Sequence, residues 1–184
     1  MDRSEDLKQL HALLLERSVK RGDFVLASGK RSSYYVDARL TTMSGRGQLL
    51  IGRLGLAALD DAGWKADAVG GLTLGADPIA YAIAHEAAAN DRKLEAFTVR
   101  KEVKEHGTGK LIEGAFAAGM SVVIVEDVIT TGESALRAAR ALRAADGHVL
   151  GVLAVVDRAE GGRERIEQEG YAVRSLTSVS ELIR

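Results

Sequence analysis

The chain has 184 residues, 46% of them hydrophobic, with 25 basic side chains against 26 acidic ones and a formal net charge of −1. Length and apolar content suit one globular domain spanning 1–184 with a real core, and the even charge balance argues against a nucleic-acid partner. No apolar run approaches the roughly 20 residues of a membrane span, Met1-Asp2-Arg3-Ser4-Glu5-Asp6 lacks the basic and apolar regions of a secretory signal, and cysteine is absent, so we expect no membrane partner, a cytoplasmic location and neither disulfides nor thiolate metal sites.

Leu7, Leu10 and Leu14, with Leu13 and Leu15, mark an amphipathic first helix. Residues 23–28 and 33–39 read as two strands around Gly29-Lys30 and form, with that helix, a small hood mainly within 1–43. From Ser44 the pattern becomes helix (49–59), strand (68–72), helix (79–88), strand (94–99), an apolar strand at 122–125 and a helix through Leu136, Ala139 and Leu142. A strand at 149–156, a helix at 163–169 and a strand at 171–176 follow. This alternation predicts an α/β fold, a mainly parallel sheet flanked by helices. Ligands of such sheets gather beyond the carboxyl ends of the strands, so the chemistry is sought there.

The run Val122-Val123-Ile124-Val125 has the apolar continuity of a strand covered on both faces, and Glu126-Asp127-Val128-Ile129-Thr130-Thr131-Gly132-Glu133-Ser134 leads from it into a helix. The first amides of a helix lack partners within it and sit at the positive end of its dipole, so a phosphate fits there, held by amides and the Thr130, Thr131 and Ser134 hydroxyls. Glu126 and Asp127 would repel that phosphate. Ribose hydroxyls or a bound magnesium suit them better. A generic strand and capped helix with turn chemistry at Thr and Gly is the plain alternative.

The strand ending at Val99 runs into Arg100-Lys101-Glu102-Val103-Lys104-Glu105-His106-Gly107-Thr108-Gly109-Lys110. Such a segment is either a solvated charged hairpin or a mobile arm whose cations neutralise a leaving pyrophosphate. Arg100, Lys101, Lys104 and His106 are the candidates, His106 ranking last. Thr73-Leu74-Gly75-Ala76-Asp77-Pro78 is either a second phosphate turn or a plain turn with Asp77 capping the helix. Arg158, after the strand at 149–156, either grips a substrate carboxylate or pairs with Asp157 at the surface.

The acidic strand end with its Thr/Gly turn resembles the phosphoribosyl diphosphate (PRPP) motif of the type I phosphoribosyltransferases, and fits neither a Walker loop nor a dinucleotide fingerprint. Together with Ser28-Gly29-Lys30, Tyr34-Tyr35, the Arg-Lys-x-x-Lys-x-His-Gly loop and Asp157-Arg158, it makes nearly the whole chain similar to the orotate phosphoribosyltransferases. The resemblance implies the type I phosphoribosyltransferase fold and transfer of the phosphoribosyl group from PRPP to orotate, with Mg²⁺, in pyrimidine biosynthesis. Purine-base transfer and a PRPP- or nucleotide-sensing regulator are the rival activities. It further implies catalytic roles for Lys101, Lys104 and Asp127. PRPP contacts fall to Arg100, Lys101, Lys104, His106 and the run Glu126, Asp127, Val128, Ile129, Thr130, Thr131, Gly132, Glu133 and Ser134. Thr130 and Arg158 meet orotate, and Mg²⁺ arrives mainly through the substrate. A homodimer with shared active sites, whose basic loop reaches the neighbouring site, is also implied, as is a cis peptide at Leu72-Thr73. The chain departs from some members at Ala27 and at Thr73-Leu74, which suggests a pyrophosphate cradle built from backbone amides.

Overall fold

The computed structural model describes residues 2–25, 31–102 and 110–183. Helix α1 (Arg3–Arg17) starts where the Asp2 carboxylate accepts hydrogen bonds from the Ser4 and Glu5 amides, and it buries Leu10 and Leu14. Strands β1 (Val19–Val25) and β2 (Arg31–Val36) form an antiparallel pair in the register Val19↔Val36, interrupted between Arg21 and Phe24. The expected strand at 33–39 stops at Val36. Asp37 turns the chain instead, accepting from the Arg39 amide, and Arg39 opens the short helix α2 (Arg39–Thr42). Ser44 then caps α3 (Gly45–Asp61) through the Gly47 amide.

The main body follows as β3 (Ala68–Leu72), α4 (Asp77–Ala89), β4 (Glu95–Val99), β5 (Ile112–Gly114), β6 (Ser121–Ile129) and α5 (Glu133–Ala144). It closes with β7 (His148–Asp157), α6 (Gly162–Gln168), β8 (Val173–Ser178) and α7 (Val179–Leu182). The six-stranded sheet has the order β5-β4-β3-β6-β7-β8, parallel throughout except for β5. Strand β5 escaped the sequence reading because three residues carry no measurable period; its pairing of Ile112 with Val99 defines it. Among the described residues no helix is long and apolar enough to cross a membrane.

Side-chain alternation along a strand explains how both faces are filled. Val123 and Val125 join Leu10, Leu14, Leu50, Ile51, Ile79 and Ile83 in the core under α1, α3 and α4. Val122 and Ile124 face the other way, with Phe97, Leu136, Leu142 and Ile166 under α5 and α6. Over residues 122–125 the central strand therefore has no polar face.

Strand β6 also differs from its expected extent. Its apolar run ends at Val125, yet its ladder with β7 continues through Glu126↔Ala154 and Val128↔Val156 to Ile129↔Asp157. The two acids consequently lie within the strand instead of at its exposed end, and the turn is confined to the residues between Ile129 and Glu133.

Candidate active site

From β3 the chain steps outward through β4 and β5, then returns to lay β6 against the other edge of β3. At this reversal the connections after β3 and β6 diverge and leave a crevice beyond the strand ends. A cavity of about 840 Å³ lies there, with Leu72–Gly75 forming one wall and Glu126, Asp127, Val128, Thr130, Thr131 and Ser134 another. Arg158 and Glu160 enter from beyond β7, Lys101 from beyond β4, and Lys20, Phe24, Tyr35, Asp37 and Arg39 from the hairpin and its exit.

Glu126 is 6% exposed, and its Oε1 has no hydrogen-bond partner among the described residues. Burial, helped by the neighbouring Asp127 charge, pushes its pKa up to about 8. Asp127 is also raised by burial, with the Val128 amide, which donates to Oδ1 at 2.8 Å, and the Arg39 charge acting in the opposite direction. The Thr73–Ala76 turn presses on this acid: a Cβ added at Gly75 would stand 2.7 Å from Asp127 Oδ1. Glycine at 75 thus lets the turn after β3 close against the acid of β6.

After Ile129 the turn encloses a recess of about 60 Å³ lined by Thr130, Thr131, Gly132, Ser134 and their neighbours. Gly132 adopts φ of +74° as the N-cap of α5 without any side-chain cap, so the first amides of the helix keep their donor capacity. Ile129 and Glu133 also line this recess, where their side chains are otherwise engaged: Ile129 is 2% exposed and packs in the core, and the Glu133 carboxylate is taken by Arg140 at 2.7 Å and by Arg165, which lower its pKa.

Arg158 is buried, its guanidinium carbon 5.5 Å from the Tyr34 ring centroid. Its Nη2 stands 2.7 Å from Glu160 Oε1, a charge contact off the hydrogen-bond direction, and Nε and Nη2 make no hydrogen bond among the described residues. The surface pair with Asp157 does not form. Adjacent strand residues point to opposite faces, and Asp157 instead accepts from Arg163 Nε at 2.7 Å and from the Ala159 amide at 2.9 Å.

The basic segment is brought to the cavity only in part. Lys101 lines it. Arg100 does not: its amide donates to Leu111 O, and its guanidinium approaches Glu113 at 3.9 Å, drawn there by β5. Lys104, His106 and the expected hood contacts at Ser28-Gly29-Lys30 lie outside the described residues. Asp77 is not the cap of α4: Ala76 holds that position, and no side chain caps the helix there. The cis peptide joins Thr73 to Leu74, one bond later than expected, because the Thr73 amide still extends the ladder by donating to Val99 O at 2.8 Å.

Lys20, Asp37, Arg39 and Glu160 also line the cavity and were not singled out from the sequence. Arg39 grips Asp37 with Nε at 2.8 Å and Nη2 at 3.0 Å, which holds the Asp37 carboxyl below its ordinary range. Spacing of Asp37 and Arg39 at a strand end was the available signal. Lys20 gave none, since only the hairpin's tertiary placement turns it inward.

A family model described as "Phosphoribosyl transferase domain" matches residues 47–180. The orotate phosphoribosyltransferase of Mycobacterium avium is 49% identical over 177 residues, covering 96% of each chain. The chain belongs to the orotate phosphoribosyltransferase family. A crystal structure of the Mycobacterium tuberculosis family member in complex with Fe(III) dicitrate superposes with a TM-score of 0.86 at 46% identity, covering 97% of this chain and 99% of that one. Another, in complex with PRPP, has a TM-score of 0.82 at 45% identity, with 96% and 98% covered. The type I fold and its mostly parallel sheet are therefore shared with these family members.

The raised pKa of Glu126 has a measurable sign. An unfolded glutamate loses its proton in the ordinary range, whereas the folded one keeps it up to about 8, so the native state binds more protons in between and stability falls as pH rises through that window. Each pKa unit corresponds to about 1.4 kcal/mol. Glu126→Gln is expected to raise the melting temperature of the free protein by several degrees at about pH 8.5 and to leave it nearly unchanged at about pH 5. Thermal denaturation across that range checks this.

Proposed function

We propose that the chain transfers the 5-phosphoribosyl group from PRPP to orotate, giving orotidine 5′-monophosphate and pyrophosphate in de novo pyrimidine biosynthesis. One observation carries the reading: a single cavity holds a desolvated acid pair, a hydroxyl-lined helix start and, just past β7, a buried arginine whose Nε and Nη2 have no hydrogen-bond partner among the described residues. The near full-length likeness to orotate phosphoribosyltransferases supports the choice of base.

In this reading the recess formed by Thr130, Thr131, Gly132 and Ser134 takes the 5-phosphate, held by the free amides of α5 and the hydroxyls. Glu126 and Asp127 accept the ribose hydroxyls. Arg158 exchanges Glu160 for the orotate carboxylate, with Thr130 alongside, and so aims N1 at the anomeric carbon. The N1 lone pair forms the new C–N bond as the bond to the pyrophosphate oxygen breaks, its electrons leaving on pyrophosphate and the N1 proton passing to solvent. Positive character grows at the anomeric carbon beside Asp127, while Lys101 and Lys104 meet the departing charge. His106 acts with them through the same segment, and Arg100 holds the start of that segment through the hydrogen bond its amide donates to Leu111 O.

Among the described residues no three His, Cys, Asp or Glu side chains are grouped to hold a metal. Two of the cavity's acids are already engaged, Asp37 by Arg39 and Glu160 by Arg158. The fit is thus to Mg²⁺ carried mainly by the diphosphate, near Glu126 and Asp127, where it would neutralise leaving-group charge. A cytoplasmic setting agrees with the cysteine-free sequence. Residues 1–184 act as one catalytic domain, assembled as a homodimer. Support for the dimer comes from large apolar side chains left exposed on segments adjoining the cavity: Leu40, Met43 and Leu49 on α2 and α3, Leu74 in the turn and Tyr81 on α4.

Initial rates with PRPP and a panel of bases test the reading directly. Orotate is expected to be consumed and uracil, adenine and hypoxanthine to react poorly; preference for a purine base would overturn it. Arg158→Ala should raise the KM for orotate at least tenfold and that for PRPP far less. Loss of PRPP affinity to the same extent would remove Arg158 from the base site.

The shared-site arrangement is checked by complementation. Lys104→Ala and Asp127→Asn chains, each nearly inactive alone, should regain activity when mixed, because some mixed dimers then hold one intact composite site. With subunit exchange verified by mass, a mixture that stays inactive would mean that Lys104 serves its own chain.

A further inference from the structure

Asp77 opens α4 yet spends its carboxylate elsewhere. Oδ2 accepts from Thr73 Oγ1 at 2.7 Å and Oδ1 from Thr98 Oγ1 at 2.9 Å. The Thr73 amide donates to Val99 O at 2.8 Å. These contacts close a ring from the end of β3, through the start of α4, to the end of β4 and back to Thr73. Beyond the ring on one side come Leu74 and Gly75, and on the other Lys101; all three line the cavity, whereas Asp77 does not.

The chemistry of the ring is directional. A carboxylate only accepts, so both threonine hydroxyls commit their protons to Asp77. The Tyr81 hydroxyl, 3.2 Å from Thr98 Oγ1, must then be the donor in that contact. Thr73 keeps only lone pairs for the cavity, and an anion at this turn is left to the backbone amides of the residues after it. Their placement depends on Asp77, since Thr73 is fixed at its amide by β4 and at its side chain by this carboxylate.

Resting on the reading of the cavity as a PRPP site, we propose that Asp77 is a positioning residue for the diphosphate half of that site. It locks the turn after β3 and the strand end that carries Lys101 into one frame, and it has no part in holding the base. Loss of the carboxylate therefore weakens PRPP and pyrophosphate and spares orotate.

The test combines steady-state kinetics for both substrates with calorimetric titration of Mg²⁺-pyrophosphate, on the unmodified protein, Asp77→Ala, Asp77→Asn and Thr98→Val. Asp77→Ala is expected to raise the KM for PRPP and the Kd for pyrophosphate at least fivefold, with the KM for orotate changed less than twofold. Asp77→Asn, which keeps one acceptor oxygen, should recover part of the loss. Thr98→Val should show the same split more weakly, and combined with Asp77→Ala it should add little, as members of one network do. Unchanged PRPP and pyrophosphate binding, or equal damage to both substrates, would overturn the proposal. If Asp77→Ala does not fold, the split in Thr98→Val decides. An unmodified protein that binds pyrophosphate without turning over orotate would refute the enzymatic reading, while the pyrophosphate comparison would still decide the role of Asp77.

Discussion

The pairing of β6 with β7 does not stop where the apolar residues stop, and the site depends on that fact. Four more residues of ladder carry Glu126 and Asp127 into a desolvated position, with Ile129 anchored beyond them in the core. Burying a carboxylate without a partner is costly, and here the cost appears as a Glu126 that holds its proton to about pH 8. The ladder and the two cores on either side of β6 supply the cohesion that keeps it there. Strain of this kind is kept where a ligand relieves it. The same extension sets the turn: with Ile129 pinned, the chain reverses through Gly132, and α5 starts with bare amides.

Two of the cavity's other acids are already paired with arginines within the chain. Arg39 is clasped by Asp37, and Arg158 faces Glu160. Among the described residues the β6 acids have no such cation within hydrogen-bonding reach, although the Arg39 charge is felt at Asp127. A ligand that brings hydroxyls, a dication and several anionic groups would meet the acids, the arginines and the helix start together. A simple anion would satisfy the recess and leave the acids unrelieved. This agrees with the proposed phosphorylated sugar bearing a metal-bound diphosphate, and with the proposed role of Arg158 toward a base with a carboxylate.

Much of this could be read from residue order because much of it is local. Strand β3 occupies the expected residues 68–72, and the split of Val122–Val125 between two cores follows from period-two alternation. Thr130, Thr131 and Ser134 stand at a helix start because glycine and hydroxyl residues announce one. What escaped was set by long-range pairing. The end of β6 is decided by Asp157, far along the chain, and Arg100 is drawn aside by a three-residue strand with no period of its own. Asp77, which by spacing is a helix cap, is claimed instead by Thr98 on the next strand. Lys20 reaches the cavity only because the hairpin folds over it.

The central claim is that Glu126 is held protonated by burial until ligand arrives. Side-chain carboxyl chemical shifts from carbon-13-labelled glutamate, assigned through Glu126→Gln and followed against pH, measure this directly. The account predicts a titration midpoint near 8 in the free protein, falling well below neutrality once Mg²⁺-PRPP is bound. A Glu126 that titrates like an ordinary glutamate in the free protein, or whose midpoint is unmoved by PRPP, would contradict it.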